Sequence, residues 1–159
     1  MGDPAEKELA QLRLQVQQLT DRAEISDLVS RLGLLLDEKR FDDIRSVVTD
    51  DVVADFPSYA AAGQLRGSDD LAAHGLKSQG RFARAQHVMT NVLIDLDGDR
   101  ASVRANLIAT HVHQADESSS HYDIGEYYRL EVVRTPAGWR ISRLNPNAIW
   151  SAGTRPPVR

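Results

Sequence analysis

The chain has 159 residues, of which 42% are hydrophobic and 26% charged, and its formal net charge is −4 at pH 7. This composition is typical of one globular domain with a single core and excludes a disordered chain. The absence of cysteine excludes disulfides, thiolate nucleophiles and cysteine-based zinc sites. The sequence shows no basic stripe, no apolar run of about 18 residues and no apolar signal region. We therefore expect a cytoplasmic protein that contacts neither nucleic acid nor membrane.

Residues 1–20 predict a helical arm. Its apolar side chains are spaced three, four, three and four residues apart, which is typical of a coiled-coil seam. The seam lasts only about two heptads, so it must pack against its own domain or a second subunit. Asp21 and Glu24 resemble a capping pair and predict a second helix from near residue 21. The seam is Leu9, Leu12, Val16, Leu19 and Ala23, and the stripe of the second helix is Ile25, Leu28, Val29, Leu32, Leu35 and Leu36.

After these helices the chain predicts mixed short elements and then a sheet. We expect a short helix over residues 41–48, a strand over 52–56, a loop over 57–67 and a helix over 69–76, capped by Ser68. Four strands follow, over residues 86–96, 101–113, 122–134 and 139–144, with a hairpin signal at Asp97-Gly98 and a turn at 116–120.

Helices followed by antiparallel strands predict an α+β fold, in which a curved sheet wraps around the helices and leaves a pocket at its open end. We assign the domain to residues 21–150 and expect residues 151–159 to form a loose tail.

The strand over residues 101–113 indicates which side chains face the core. Successive side chains of a strand point to opposite faces, and residues 103, 105, 107 and 109 are all apolar. This row continues into His111 and His113, which are therefore expected at the rim or floor of a pocket. A neutral imidazole there can act as an acid or a base. The alternative is that this strand end faces solvent.

Two further candidates are less clear from the pattern. His87 lies in a strand with apolar residues on both faces, so alternation does not decide whether it is a pocket residue or a core histidine bonded to the backbone. Asp37 follows three leucines at a helix end, and periodicity alone favours a surface acid. We interpret His74 and His121 as exposed.

A metal site is a competing interpretation. His111 and His113 are spaced to share a metal on one strand, and Glu117 follows at the spacing of part of a cupin site. Glu117, however, falls in a predicted turn, and the glycine expected before the first histidine is Ala105. The second cupin motif is also missing.

Several short segments, taken in order, resemble scytalone dehydratase and its SnoaL-like relatives in the nuclear transport factor 2-like superfamily. The similarity extends over about residues 20–150, and the order and spacing of the segments are more specific than any one of them. The segments are LDEKRFDDIR at 36–45, VADF at 53–56, QH at 86–87, ATH at 109–111 and WRISRLNP at 139–146.

The resemblance implies a cone-shaped α+β barrel in which Asp37 orients His87 and His111 is a second pocket histidine. It implies a lyase or cyclase, of the dehydratase, isomerase or aldol type, that acts on a carbonyl-containing polyketide-like or steroid-like molecule. Such chemistry requires no metal or organic cofactor. The family commonly forms dimers or trimers, so the resemblance also implies a homo-oligomer.

This sequence departs from the family at two pocket positions, because Leu36 and Phe56 stand where scytalone dehydratase has tyrosines. Tyr59, Tyr127 and Tyr128 are alternative sources of a phenol. Scytalone itself is therefore not the expected substrate, and a non-catalytic ligand-binding or assembly module is the second hypothesis. The predicted substrate-binding residues are Phe56, Tyr59, Met89, His113, Tyr128 and Asn145.

Overall fold

Six strands form one open sheet that wraps around the helices in the computed structural model, which describes residues 3–58 and 63–154. The elements are α1 Pro4–Asp37, a 3₁₀ helix Phe41–Ser46, β1 Val48–Phe56, β2 Gly63–Arg66, α2 Ser68–Gln79, β3 Arg84–Asp97, β4 Arg100–Gln114, β5 Glu117–Thr135 and β6 Gly138–Gly153. The sheet order is β2-β1-β6-β5-β4-β3, and among these described strands only the β1–β6 pair is parallel. The α+β prediction is confirmed.

One continuous helix, α1, replaces the two that the sequence predicts. It is capped by Asp3, whose side chain accepts a hydrogen bond from the Ala5 N–H at 3.1 Å. The predicted second helix start at Asp21 is wrong, because that carboxylate is buried against the sheet and does not cap a helix. No helix in the described part of the chain is long and apolar enough to cross a bilayer.

Asp21 attaches the middle of α1 to the β5–β6 hairpin. Its two carboxylate oxygens accept hydrogen bonds from Arg134 at 2.9 and 2.8 Å, and the Trp139 indole N–H donates a third at 3.2 Å. The Arg134 guanidinium also lies over the Trp139 ring, 4.5 Å from its centroid. This network fixes where the sheet closes over the helix.

The core lies between the second half of α1 and the inner face of the sheet. Gly33 allows the closest approach, since a Cβ there would lie 3.2 Å from the Met89 side chain and 3.5 Å from the His87 carbonyl. The helix therefore packs directly on β3 at His87. The predicted stripe is buried except for Leu36, which is only partly buried; its buried members are Ile25, Leu28, Val29, Leu32 and Leu35.

Four predicted features after residue 56 are wrong. Residues 57–67 contain the strand β2, which pairs with β1, and the residue before α2 is Gly67, so Ser68 begins the helix and does not cap it. The predicted turn at 116–120 lies mostly within β5, which begins at Glu117. Residues 151–153 continue β6, because Gly153 pairs with Tyr122 and so satisfies backbone groups of both strands. Residues 155–159 lie outside the described residues.

A β-bulge in β3 explains why its alternation is ambiguous in sequence. Asn91 has a φ of 51°, and the pairing register with β4 shifts between Thr90 and Leu93. Before the bulge His87 is buried, whereas after it Leu93 is 66% exposed and Ile94 packs against the core. The inward face therefore changes from odd-numbered to even-numbered residues within one strand.

Candidate active site

Asp37 and His87 form a hydrogen-bonded pair between the end of α1 and the start of β3. One carboxylate oxygen of Asp37, Oδ1, accepts from the His87 backbone N–H at 2.6 Å and lies 2.8 Å from His87 Nδ1. The imidazole side chain is 1% exposed and the carboxylate 27%. Asp37 is thus not the surface acid that periodicity favours, and its carboxylate holds the ring through Nδ1. With the proton on Nδ1, the remaining nitrogen, Nε2, carries a lone pair.

The turn after α1 holds Asp37 in place. Lys39, two residues after α1 ends at Asp37, adopts a left-handed backbone conformation with a φ of 55°. Its ammonium group donates to the backbone carbonyl of Phe82, two residues before β3. The same turn is therefore fixed to the segment that leads into His87.

Burial sets the protonation state of His87. Desolvation lowers the pKa of the imidazole below its usual value of 6.5, and this effect exceeds the opposing contributions of the Asp37 hydrogen bond and charge. His87 is consequently neutral at pH 7, the form in which an imidazole accepts a proton.

His111 lies beside His87 on the inner face of β4 and is 5% exposed. The two rings meet edge to face, with centroids 5.2 Å apart, and Phe82 packs on His111 at 4.7 Å. Burial is the larger and the charge of His87 the smaller of two effects that lower the His111 pKa to about 4. A hydrogen bond with the Tyr122 backbone acts in the opposite direction and raises the pKa. Its Nδ1 is buried without a hydrogen-bond partner within residues 3–58 and 63–154. It is a polar atom that a ligand can satisfy.

A small cavity of about 70 Å³ lies between α1, α2 and the sheet. Leu36 lines it, so one turn of α1 carries both a cavity residue and Asp37. Asp37, His87 and His111 are not part of the wall. The lining residues are Leu32, Leu36, Phe41, Ile44, Phe56, Leu71, Ala72, His74, Gly75, Ser78, Gln79, Tyr128 and Leu144.

The predicted substrate-binding residues have different locations. Phe56 and Tyr128 line the cavity, and Met89 packs beside His87 at the core edge. His113 bonds the Thr154 carbonyl at 2.8 Å. Asn145 lies instead along a larger, open groove of about 880 Å³ that includes the outward-facing Arg104 and Arg129 of β4 and β5. Tyr59 lies outside the described residues.

Sequence reasoning missed several polar residues. The prediction that His74 and His121 are exposed is wrong: His74 lines the cavity with its ring 4.6 Å from Phe56, and His121 is half-buried and bonds Asp123 at 3.0 Å. Glu126 was also missed. It is 5% exposed and sits in the inward row of β5, where alternation with the buried Tyr128 could have identified it.

The metal interpretation relies on His111, His113 and Glu117. His113 is engaged with a backbone carbonyl, and Glu117 is exposed at the beginning of β5. Among the residues that the structure describes, no three histidine, aspartate or glutamate side chains converge as metal ligands.

Comparison with known proteins identifies the family. A protein of Mycobacterium tuberculosis named only as uncharacterized is 34% identical over 131 residues, which cover 82% of this chain and 86% of that protein. A crystal structure of a Kribbella flavida protein has a TM-score of 0.78 and 31% identity, covering 85% of this chain and 95% of that chain.

A candidate scytalone dehydratase of Novosphingobium aromaticivorans has a TM-score of 0.77 at 16% identity, covering 91% of this chain and 94% of that chain, which shows a common fold. The SnoaL-like domain model matches residues 17–145. The resemblance seen in the sequence is confirmed, and the chain belongs to the SnoaL-like domain family.

Proposed function

We propose that this protein is a cofactor-independent lyase or isomerase that removes a proton α to a substrate carbonyl. The observation that carries the proposal is the buried His87 imidazole, held through Nδ1 by Asp37. Nε2 of neutral His87 takes the proton, and the Asp37 carboxylate stabilises the imidazolium that forms. A positioned acid–base group of this kind contributes about 10²–10⁴-fold to a rate.

His111 has the role of stabilising the enolate. Because its pKa is about 4, it is neutral at pH 7 and carries no second proton to transfer. Its contribution is a hydrogen bond to the developing enolate oxygen from Nδ1, the ring nitrogen that has no partner among the described residues, in the tautomer that carries the proton there. Proton donation to a leaving group then falls to the His87 imidazolium, which returns the proton that it removed.

The fate of the enolate determines the reaction class. If a hydroxyl occupies the β-carbon, the C–O bond breaks, hydroxide takes the proton from His87 and leaves as water, and an enone remains. Return of the proton to another carbon gives isomerisation, and attack of the enolate carbon on a second carbonyl gives aldol cyclisation. The similarity in fold to the candidate scytalone dehydratase of Novosphingobium aromaticivorans supports the first. The proposed substrates are polyketide-like or steroid-like carbonyl compounds.

Hydrogen exchange tests this function without knowledge of the leaving group. We would incubate the protein in D₂O with 1-tetralone, 2-tetralone and a 3-ketosteroid and follow deuterium entry at the α-carbon by NMR. Exchange should fall by about 10²-fold or more in His87→Gln and in Asp37→Asn. His121→Gln, which alters another aspartate-bonded histidine, is the matched control. A ketone that binds but does not exchange, or equal exchange in all variants, would overturn the proposal.

A non-catalytic binding module is the second candidate. Leu36 and Phe56 supply apolar walls to the cavity, where they cannot polarise a carbonyl. In that case the ketones would bind with equal affinity to the native protein and to His87→Gln, and no deuterium would enter.

We also propose that the chain forms a homo-oligomer through the amino-terminal part of α1. Four of the five seam residues, Leu9, Leu12, Val16 and Leu19, are between 48% and 68% exposed. In a parallel helix pair, Glu8 of one copy would lie opposite Arg13 of the other, where coiled coils place interhelical ion pairs. The apolar seam and this charge complementarity together favour a second copy as the partner.

A further inference from the structure

The wall that α2 contributes to the cavity is polar. Ser78 and Gln79 follow His74 by four and five residues, about one turn of the helix, and all three line the cavity. The other walls are mostly apolar and come from Leu36 and Leu144, among others, with Tyr128 as their one polar side chain. Most polar groups are therefore on one side of a largely apolar recess, which is how binding pockets fix the orientation of a ligand.

One atom of this polar wall lacks a partner. Gln79 Oε1 is buried and accepts no hydrogen bond from any residue that the structure describes. Buried side-chain oxygens are nearly always paired with protein, water or ligand, because an unpaired acceptor loses its hydration without compensation. Ser78 does not satisfy it, since its hydroxyl is directed to the Gly75 carbonyl at 3.4 Å.

His74 is the second polar group of the wall. Its ring packs at 4.6 Å on Phe56, across the recess from α2, and burial followed by the Lys77 charge lowers its pKa. The recess therefore presents a neutral imidazole, an amide oxygen and the hydroxyls of Ser78 and Tyr128, and no charged group among its lining residues. This combination suits an uncharged hydrogen-bond donor rather than an ion.

The size of the recess limits what enters it. A volume of about 70 Å³ holds roughly two water molecules at 30 Å³ each. It can accept one hydroxyl with the carbon that bears it, but not a whole polyketide-like molecule. The body of such a ligand would extend from the recess towards the turn of α1 that carries Asp37.

We propose that the α2 wall is a hydroxyl-recognition subsite, in which Gln79 Oε1 accepts a hydrogen bond from an alcohol or phenol group of the substrate. This inference rests on the proposed function, because it concerns the substrate of the same site. That substrate is a carbonyl compound with a hydroxyl group that is remote from the reacting carbons and is bound by Gln79. The alternative is that Gln79 Oε1 accepts a hydrogen bond from a trapped water molecule. The experiment distinguishes such a water from a hydroxyl ligand.

The test compares two probes of nearly equal size, p-cresol and 4-fluorotoluene, of which only the first has a hydroxyl donor. Binding to the full chain is measured by NMR titration. We expect the native protein to prefer p-cresol by about tenfold, the value of one net hydrogen bond. Gln79→Met, which keeps the side-chain length but removes the acceptor, should reduce this ratio to near one. Gln79→Glu, which keeps an acceptor oxygen, should retain a preference, and Gln11→Met on the exposed arm should leave it unchanged.

Each result decides the matter. An equal ratio in the native protein and in Gln79→Met, as expected if the acceptor only holds water, would overturn the subsite, and so would no p-cresol binding by the folded native protein. His87→Gln should keep the tenfold preference, since that side chain is not part of the recess. If deuterium exchange fails but the preference is present and lost in Gln79→Met, the catalytic proposal fails and the subsite stands.

Discussion

At the scale of single residues, the candidate site depends on one carboxylate oxygen. Asp37 Oδ1 contacts both the backbone N–H and the ring nitrogen of His87, so the imidazole is oriented relative to its own strand. A side chain fixed in this way loses little freedom when substrate binds, which favours catalysis by pre-organisation. Lys39 contributes indirectly, because it attaches the turn after Asp37 to the carbonyl of Phe82.

The pH dependence of proton abstraction follows from the burial of His87. Burial lowers its pKa below the usual 6.5. A base acts in its deprotonated form, so kcat/KM should stay level as the pH falls through 6.5 and decline only at lower pH. Asp37→Asn removes the contributions that raise the pKa, so its acid limb should lie lower still, with a reduced plateau. Profiles of α-hydrogen exchange between about pH 4 and 8 check this. An acid limb above pH 6.5 would contradict it.

His111 should make stability depend on pH. Its pKa is about 4 in the folded protein and near 6.5 when unfolded, so between these values the unfolded chain binds more protons. The stabilisation is fully present above pH 6.5 and is lost as the pH falls through 4, by about 3 kcal/mol in the free energy of unfolding.

Urea unfolding at pH 7 and pH 4 measures this loss. His111→Phe, which keeps an aromatic ring against Phe82, should lose markedly less stability over that interval than the native protein. His121→Phe is the matched control and should follow the native curve. Equal losses in the native protein and in His111→Phe would show that His111 is not the group responsible.

The sequence predicts the position of some site residues better than that of others. Alternation in β4 correctly places His111 inside, because the apolar row before it is regular over four residues. Helical periodicity misplaces Asp37, since the residue lies in the last turn, where contacts with β3 rather than the helix stripe decide its environment. Only the family resemblance brings Asp37 and His87 together, because they are 50 residues apart in sequence.

At the scale of elements, Asp21 joins α1 to the sheet. Asp21 is 3% exposed and receives hydrogen bonds from Arg134 and Trp139. Asp21→Ala would leave the Arg134 charge and the indole N–H without their acceptor, and we expect a loss of about 3 kcal/mol in the free energy of unfolding. Urea denaturation at pH 7 measures the loss. Asp99→Ala is the control, because Asp99 bonds the same arginine but is 81% exposed at its side chain. A loss no larger than that of Asp99→Ala would contradict this role.

The sequence predicts an element boundary correctly where a local turn motif alone determines it. Asp97-Gly98 correctly marks the β3–β4 hairpin, since Gly98 has a φ of 58° that glycine adopts without strain. The serines after Asp116 do not form the expected turn, because the pairing of Glu117 with Gln114 of β4 begins β5 before them. The bulge at Asn91 shows in the sequence only as apolar residues on both faces of β3, a pattern that does not fix its position. Tertiary pairing therefore decides these two features.

At the scale of the whole molecule, the long α1 divides into a buried half and an exposed half. The half after Asp21 lies in the core, whereas the preceding residues of the helix are exposed to solvent in the single chain. An exposed helix of this length is only marginally stable in water, so the seam on its surface gains most from a partner helix. Substitutions in the exposed seam therefore test whether the protein forms an oligomer through this helix.

Light scattering should give a molar mass that is a multiple of 17.6 kDa at micromolar concentrations. Leu12→Asp places a charge in the seam and should shift the protein to the monomer. Leu14→Asp is the matched control: Leu14 is 60% exposed on the same helix but outside the seam, so this variant should remain associated. Arg13→Glu should weaken association by opposing Glu8 of the second copy, and adding Glu8→Lys should restore it. A native monomer, or equal dissociation in the Leu12 and Leu14 variants, would show that the seam is not the interface.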